Sequence, residues 1–122
     1  MKDPRVCLVQ ILECLDRIRQ YTEGGRAAYE RDSMVRDAVI RNLEIISEAA
    51  KRVPADFRER HPHIPWRALA GFRYVLIHQY EGIDHDEVWR IVETEFPGIH
   101  EAVSMILPSL DELEREISRA LQ

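Results

Sequence analysis

At 122 residues, 45% hydrophobic and 32% charged, the chain reads as one soluble globular domain over 1–122 with a core of its own. Its net charge of −5 argues against a protein that grips nucleic acid through bulk positive charge. No apolar run nears the roughly 20 residues of a membrane span, and the charge-studded N-terminus MKDPRVCLVQILECLDR is no signal peptide, so the expected location is cytoplasmic.

The predicted elements are all helical. Asp3 and Pro4 open a first helix whose buried stripe is Leu8, Ile11, Leu12, Leu15 and Ile18, with Gly24-Gly25 as its stop. Cys7 and Cys14, two turns apart on one face, cannot bridge along a rigid helix and read as core thiols. A second helix runs from about Asp32 or Ser33 to Arg52, with Val35, Ala38, Val39, Leu43, Ile46, Ala50 and Val53 inward and Pro54 as the stop. PADFRERHPHIP (54–65) reads as a linker, with proline at both ends and in the middle.

Pro65 opens a third helix, WRALAGFRYVLIHQY, that Gly82 closes. Asp84, with Glu87 three residues on, forms a capping box for a fourth helix through Trp89 and Val92 to Phe96, which Pro97-Gly98 breaks. A last helix carries Ile99, Val103, Ile106, Leu110, Leu113 and Ile117 in a heptad-like seam, kinked at Pro108. Nothing alternates with period two. The expected fold is an all-α, up-and-down bundle of four to five helices.

Five histidines invite a metal reading, but none has a Glu three residues before it, as paired di-iron helices require. His61 and His63 are read as solvated loop residues and Asp84 as a cap. There is no HExxH, P-loop, GxGxxG or nucleophile elbow. No metal or cofactor is expected.

The third helix holds the anomaly. GFRYVLIHQYEGID places Arg73, His78 and Tyr80 within eight residues of an apolar helix, where an unpaired charge is costly. At 100° per residue Trp66, Leu69, Arg73, Leu76, Ile77 and Tyr80 share one stripe, so Arg73 and Tyr80 fall on the buried or interfacial face. His78 lies about 140° round from Arg73. On a straight helix the two do not converge on one small ligand. Either the helix loosens toward Gly82, or partner groups come from a second chain. The same Arg-to-His spacing recurs at Arg58 and His63 in the linker, so spacing alone is unspecific. From the residues alone the favoured reading is a buried Arg73 paired with a second-helix carboxylate such as Glu44 or Glu48. Fifteen arginines against two lysines add a weak hint of bidentate phosphate or carboxylate binding.

R-x-x-x-x-H-x-Y on the third helix, with DAVIRNLEIISEAAKRV before it, PHIPWRALAGFRYVLIHQY around it and IDHDEVWRIV after it, resembles the HEPN superfamily and in particular the HepT-like toxins. The resemblance implies a homodimeric, metal-independent endoribonuclease toxin of a type II or type VII-like toxin–antitoxin pair. Its substrate would be RNA, and its partner an MntA-type minimal nucleotidyltransferase antitoxin. Carried over, Arg73 and His78 are the catalytic pair, and Tyr80 is the residue that the partner adenylylates. Two positions depart from the family pattern: Tyr74 stands where a small polar residue, commonly Asn, follows the Arg, and Ser47 where Gly is common. Tyr74 is a possible substrate contact, by stacking or hydrogen bonding. It also favours the alternative, a catalytically silent HEPN module that docks the nucleotidyltransferase.

Overall fold

The computed structural model describes residues 3–76, 82–107 and 110–121. Helix α1 (Pro4–Tyr21) starts as the sequence dictates: Asp3 accepts the Arg5 amide at 2.9 Å and Pro4 fills a position that needs no N–H. The helix closes a turn before the glycine pair, because the Thr22 hydroxyl donates to the Ile18 carbonyl at 2.7 Å. Gly25, at φ 78°, then opens a short helix absent from the sequence reading, α2 (Gly25–Arg31). Helix α3 (Ser33–Arg52) begins on Asp32, whose carboxylate accepts the Met34 amide at 2.9 Å.

Helix α3 is the spine: it packs against both α1 and α5 (Trp66–Val75). The first helix buries its whole expected stripe, and α3 buries Val39, Leu43, Ile46 and Ala50, with Val53 capping it. Each fully buried Leu or Ile contributes about 2 kcal/mol of transfer free energy. Cys7 and Cys14 are buried free thiols, as their spacing implies, and burial pushes the Cys14 thiol up from its ordinary range.

The expected linker is not irregular throughout. Residues after Pro54 turn into α4 (Ala55–Arg60), and Ile64 drops into the core before α5. The Trp66 indole donates to the His61 carbonyl at 2.9 Å, holding the loop against the helix start.

The second half departs further. Asp84 caps α6 (His85–Arg90) by accepting the Glu87 amide at 3.1 Å, as expected. The chain then passes through a π-helical segment (Ile91–Glu95) straight into α7 (Phe96–Ser104). Pro97-Gly98 breaks nothing, because Pro97 falls in the first turn of α7, where a missing N–H is harmless. The heptad seam, in turn, is not one helix: residues 105–107 form a turn, and α8 (Leu110–Ala120) follows. The break falls just before Pro108, which disfavours helical backbone at the residue preceding it. The kink expected at Pro108 itself lies outside the described residues.

The architecture among the described residues is therefore all-α without strands, as expected, but divided into more pieces by α2, α4 and the turn at 105–107. No described helix is long and apolar enough to cross a membrane.

Candidate active site

Arg73 sits in the last turn of α5, which ends at Val75; the Leu76 amide donates back to the Arg73 carbonyl at 3.1 Å. The third helix was expected to reach Tyr80, but its described part stops at Val75. His78 and Tyr80 lie outside the described residues. Leu69 and Phe72 take the inward positions of α5, and the Phe72 ring meets Phe96 of α7 at 5.7 Å. One residue further is 100° further round. Arg73 is exposed on the single chain: of the buried or interfacial face expected for it, the buried option is set aside and the interfacial one stays open.

The expected ion pair is also missing. Arg73 lines an open cleft of about 230 Å³ with Glu44, Ser47, Glu48, Lys51 and Leu76, so the two carboxylates are neighbours. Yet Glu44 is taken by Arg41 at 3.2 Å, and no described carboxylate comes within 4 Å of the Arg73 guanidinium. Its recorded contact is with the exposed phenol ring of Tyr74, 5.4 Å away, in a cation–π arrangement. Among the described residues the Arg73 guanidinium thus has a π face and no anion against it, and a fork of this kind can accept a phosphate or a carboxylate.

Ser47 positions this arrangement, a role invisible in the sequence. It is 1% exposed, and its hydroxyl donates to the Ala70 carbonyl at 2.7 Å, tying α3 to α5 one turn before Arg73. A glycine at 47 could not make that bond. Asn42 is the other buried polar group of α3: its amide N donates to the Ala38 carbonyl at 2.8 Å, while its Oδ1 has no partner among the described residues.

The remaining histidines form structural contacts. His61 is half-buried, its ring 4.5 Å from Phe57, and so is not the solvated residue expected; His63 is exposed. His85 Nδ1 lies 2.8 Å from the hydroxyl of Tyr29, a buried phenol pushed up to about 12 by desolvation. His100 Nε2 meets Asp16 at 2.9 Å, joining α7 to α1. The Ser104 hydroxyl lies 2.7 Å from the His100 carbonyl, to which it donates, and at a longer 3.4 Å from the Nδ1 of the same ring. No group of three or more His, Cys, Asp or Glu among the described residues is placed to hold a metal ion.

A small helical scaffold in which a cleft-lining arginine has no described carboxylate partner has close sequence relatives. The HepT-like ribonuclease family matches residues 11–106, and the chain belongs to that family. A protein of Methanocaldococcus jannaschii named "Putative RNase" is 39% identical over 91% of this chain and 97% of its own length. "Probable ribonuclease HepT" of Thermococcus cleftensis is 41% identical over 75% of this chain and 84% of its own. A second M. jannaschii protein, named "Gamma-glutamylcyclotransferase and putative RNase", is 38% identical over 90% of this chain, which spans only half of that longer protein. No solved structure matches significantly.

Proposed function

We propose that the protein is a metal-independent endoribonuclease toxin that works as a homodimer, with Arg73 and His78 of both protomers lining one groove. The observation that carries the reading is Arg73: exposed, cleft-lining and without a described carboxylate partner, at the head of R-x-x-x-x-H-x-Y.

Cleavage without a metal needs a base for the 2′-OH proton, an acid for the departing 5′ oxygen, and positive charge on the phosphorane-like transition state. An imidazole with an ordinary pKa near 6.5 suits either proton job. Arg73 supplies the charge. One chain offers one motif histidine; a two-fold contact brings two, because an isologous interface repeats the same patch on both sides. DNA lacks the 2′-OH and is not cut.

Tyr80, two residues beyond His78, is the handle for a minimal nucleotidyltransferase antitoxin. Adenylylation there adds an anion that repels RNA phosphate and captures Arg73. A second reading has one observation behind it: the Tyr74 ring already occupies a face of the Arg73 guanidinium. That contact favours a silent module which docks the nucleotidyltransferase and presents Tyr80.

Incubating the protein with tRNA and mRNA in EDTA separates the two. Cleavage by wild type and none by His78→Ala supports the nuclease; no cleavage by wild type overturns it. Intact-mass spectrometry with the nucleotidyltransferase and ATP tests the handle. Nucleotide-sized additions on wild type and none on Tyr80→Phe are expected, and equal labelling of both moves the handle to another tyrosine.

A further inference from the structure

The charge on this chain is divided unevenly. Between Lys51 and Arg73 six cations stand against two carboxylates, a net +4, while the other 99 residues carry −9. This segment is the end of α3, α4, the HPH loop and α5; Arg58 and Arg67 line one depression of it, and Lys51 and Arg73 another. Of its six cations only Arg60 has a described carboxylate within 4 Å, Asp56 at 3.9 Å. Arginines elsewhere, such as Arg5, Arg19, Arg26 and Arg90, are held by Asp3, Asp16, Glu30 and Glu87.

Rings are set among these cations. Phe57 lies 4.5 Å from His61 and 6.3 Å from Trp66, His61 lies 6.0 Å from His63, and the Arg60 guanidinium stands 5.7 Å from the Phe57 centroid. A shallow trough of about 510 Å³ runs beside them, lined by Arg58, Pro62, Trp66, Arg67 and Ala70 together with one carboxylate, Glu59. The Arg58 Nε is buried without a described partner, and no described carboxylate lies within 4 Å of its guanidinium. The trough ends at Ala70, one turn before Arg73, about 5 Å along the helix. Ser47, bonded to the Ala70 carbonyl, lines the Arg73 cleft on the other side.

Two arginines without a described carboxylate partner on either side of an indole in an open trough offer what a single strand uses: forks for its phosphates and a flat group for an unstacked base. We infer that the α4–loop–α5 surface is a docking track for single-stranded RNA. Arg58 and Arg67 hold phosphates and Trp66 borders the bases, so that the strand is delivered along α5 to Arg73. The inference rests on the ribonuclease reading for the identity of the ligand, but it concerns binding and not cleavage. It gives an acidic protein a local site for a polyanion, with an affinity that must fall with salt.

The test uses the full chain and a labelled single-stranded oligonucleotide of about a dozen nucleotides, 2′-O-methylated throughout so that it cannot be cut. Fluorescence anisotropy is read over a salt series. Arg58→Glu/Arg67→Glu is expected to weaken binding at least tenfold and to reduce the slope of log K against log salt by about 1.4, two phosphates' worth. Arg31→Glu/Arg119→Glu makes the same change in net charge on α2 and α8 and should weaken binding less than threefold. If burial of the Arg58 Nε makes the first variant misfold by circular dichroism, Arg67→Glu alone, exposed and trough-lining, takes its place, with weaker binding and a slope reduced by about 0.7 expected.

Equal losses in the two double variants, an unchanged salt slope, or no binding by wild type would each overturn the track. So would intact oligonucleotide binding with loss of dimerisation or of nucleotidyltransferase binding, which would assign the surface to a protein. Failure of the ribonuclease reading shows elsewhere, as no cleavage of unmodified RNA by wild type.

Discussion

Arg19 and Arg73 both stand near the C-terminal end of a helix, and they are treated oppositely. Arg19 closes on Asp16 at 3.2 Å, one turn back. Arg73 has an exposed aromatic ring as its neighbour and shares a cleft with two glutamates without bonding either. An answered charge contributes little at a distance, since its field is cancelled within a few ångströms. An unanswered one is maintained at a cost in local repulsion and can be spent on a ligand.

Removing Arg73 should give the largest effect. Arg73→Ala and His78→Ala are each expected to lower cleavage of a saturating RNA by at least about a thousandfold, roughly 4 kcal/mol of transition-state stabilisation. Single-turnover gel assays measure that loss. Arg73→Ala should leave the urea midpoint unchanged, since no described ion pair is lost. A large fall in stability would mean that Arg73 belongs with the structural arginines after all.

The core sets the scale for stability. Leu43 is fully buried on α3, and Leu43→Ala should cost about 3 kcal/mol by chemical denaturation. Activity measured well below the denaturation midpoint should be retained, the inverse of the Arg73 result.

Tyr29→Phe is intermediate. It deletes the bond to His85 and should cost about 1 kcal/mol near neutrality. The pH dependence has a definite sign. Desolvation raises the Tyr29 phenol to about 12, despite the opposing charge of Arg36, against an ordinary value near 10. Its contribution is therefore complete below pH 10 and lost as pH rises through 12, because only the unfolded chain releases the proton in that window. Denaturation at pH 9 and 11 should show wild type losing more stability than Tyr29→Phe. Arg36 of α3 and His85 of α6 are the titratable groups facing this ring.

Arg19→Gln should be the smallest change, within about 0.5 kcal/mol, as for other exposed ion pairs. A loss several times larger would erase the distinction between the two arginines.

How much of this was legible in the sequence depends on the range of the forces involved. Local rules located the caps at Asp3 and Asp84, the start of α3 to within a residue, and the buried stripes of α1 and α3, because capping and amphipathic period act within a few residues. Pro97 misled because a proline reads alike at the end of one helix and in the first turn of the next. Of the buried or interfacial face expected for Arg73, only burial is overturned, and for a different reason. A stripe on a helical wheel fixes which residues share a face, but neighbouring helices decide which part of that face is covered. Here Leu69 and Phe72, not Arg73, meet them. Ser47 was noticed as a departure from a family pattern; that its hydroxyl reaches across to the Ala70 carbonyl depends on tertiary packing.

The π segment at Ile91–Glu95 has a consequence for the length of the chain. Ile91 and Phe96 are both buried although five residues apart, a separation that a regular α-helix would send to different sides and that one widened turn brings back into line. Loss of a single residue inside a packed helix ordinarily turns everything beyond it by 100° and ruins the fit. Here deletion of Thr94, an exposed residue within the wide turn, would leave those two side chains four apart, the natural spacing of an α-helix. The turn can tighten, and α7 can keep its face toward the core. This stretch of the protein thus carries one residue of slack, a place where the gene can shorten without the fold losing its register.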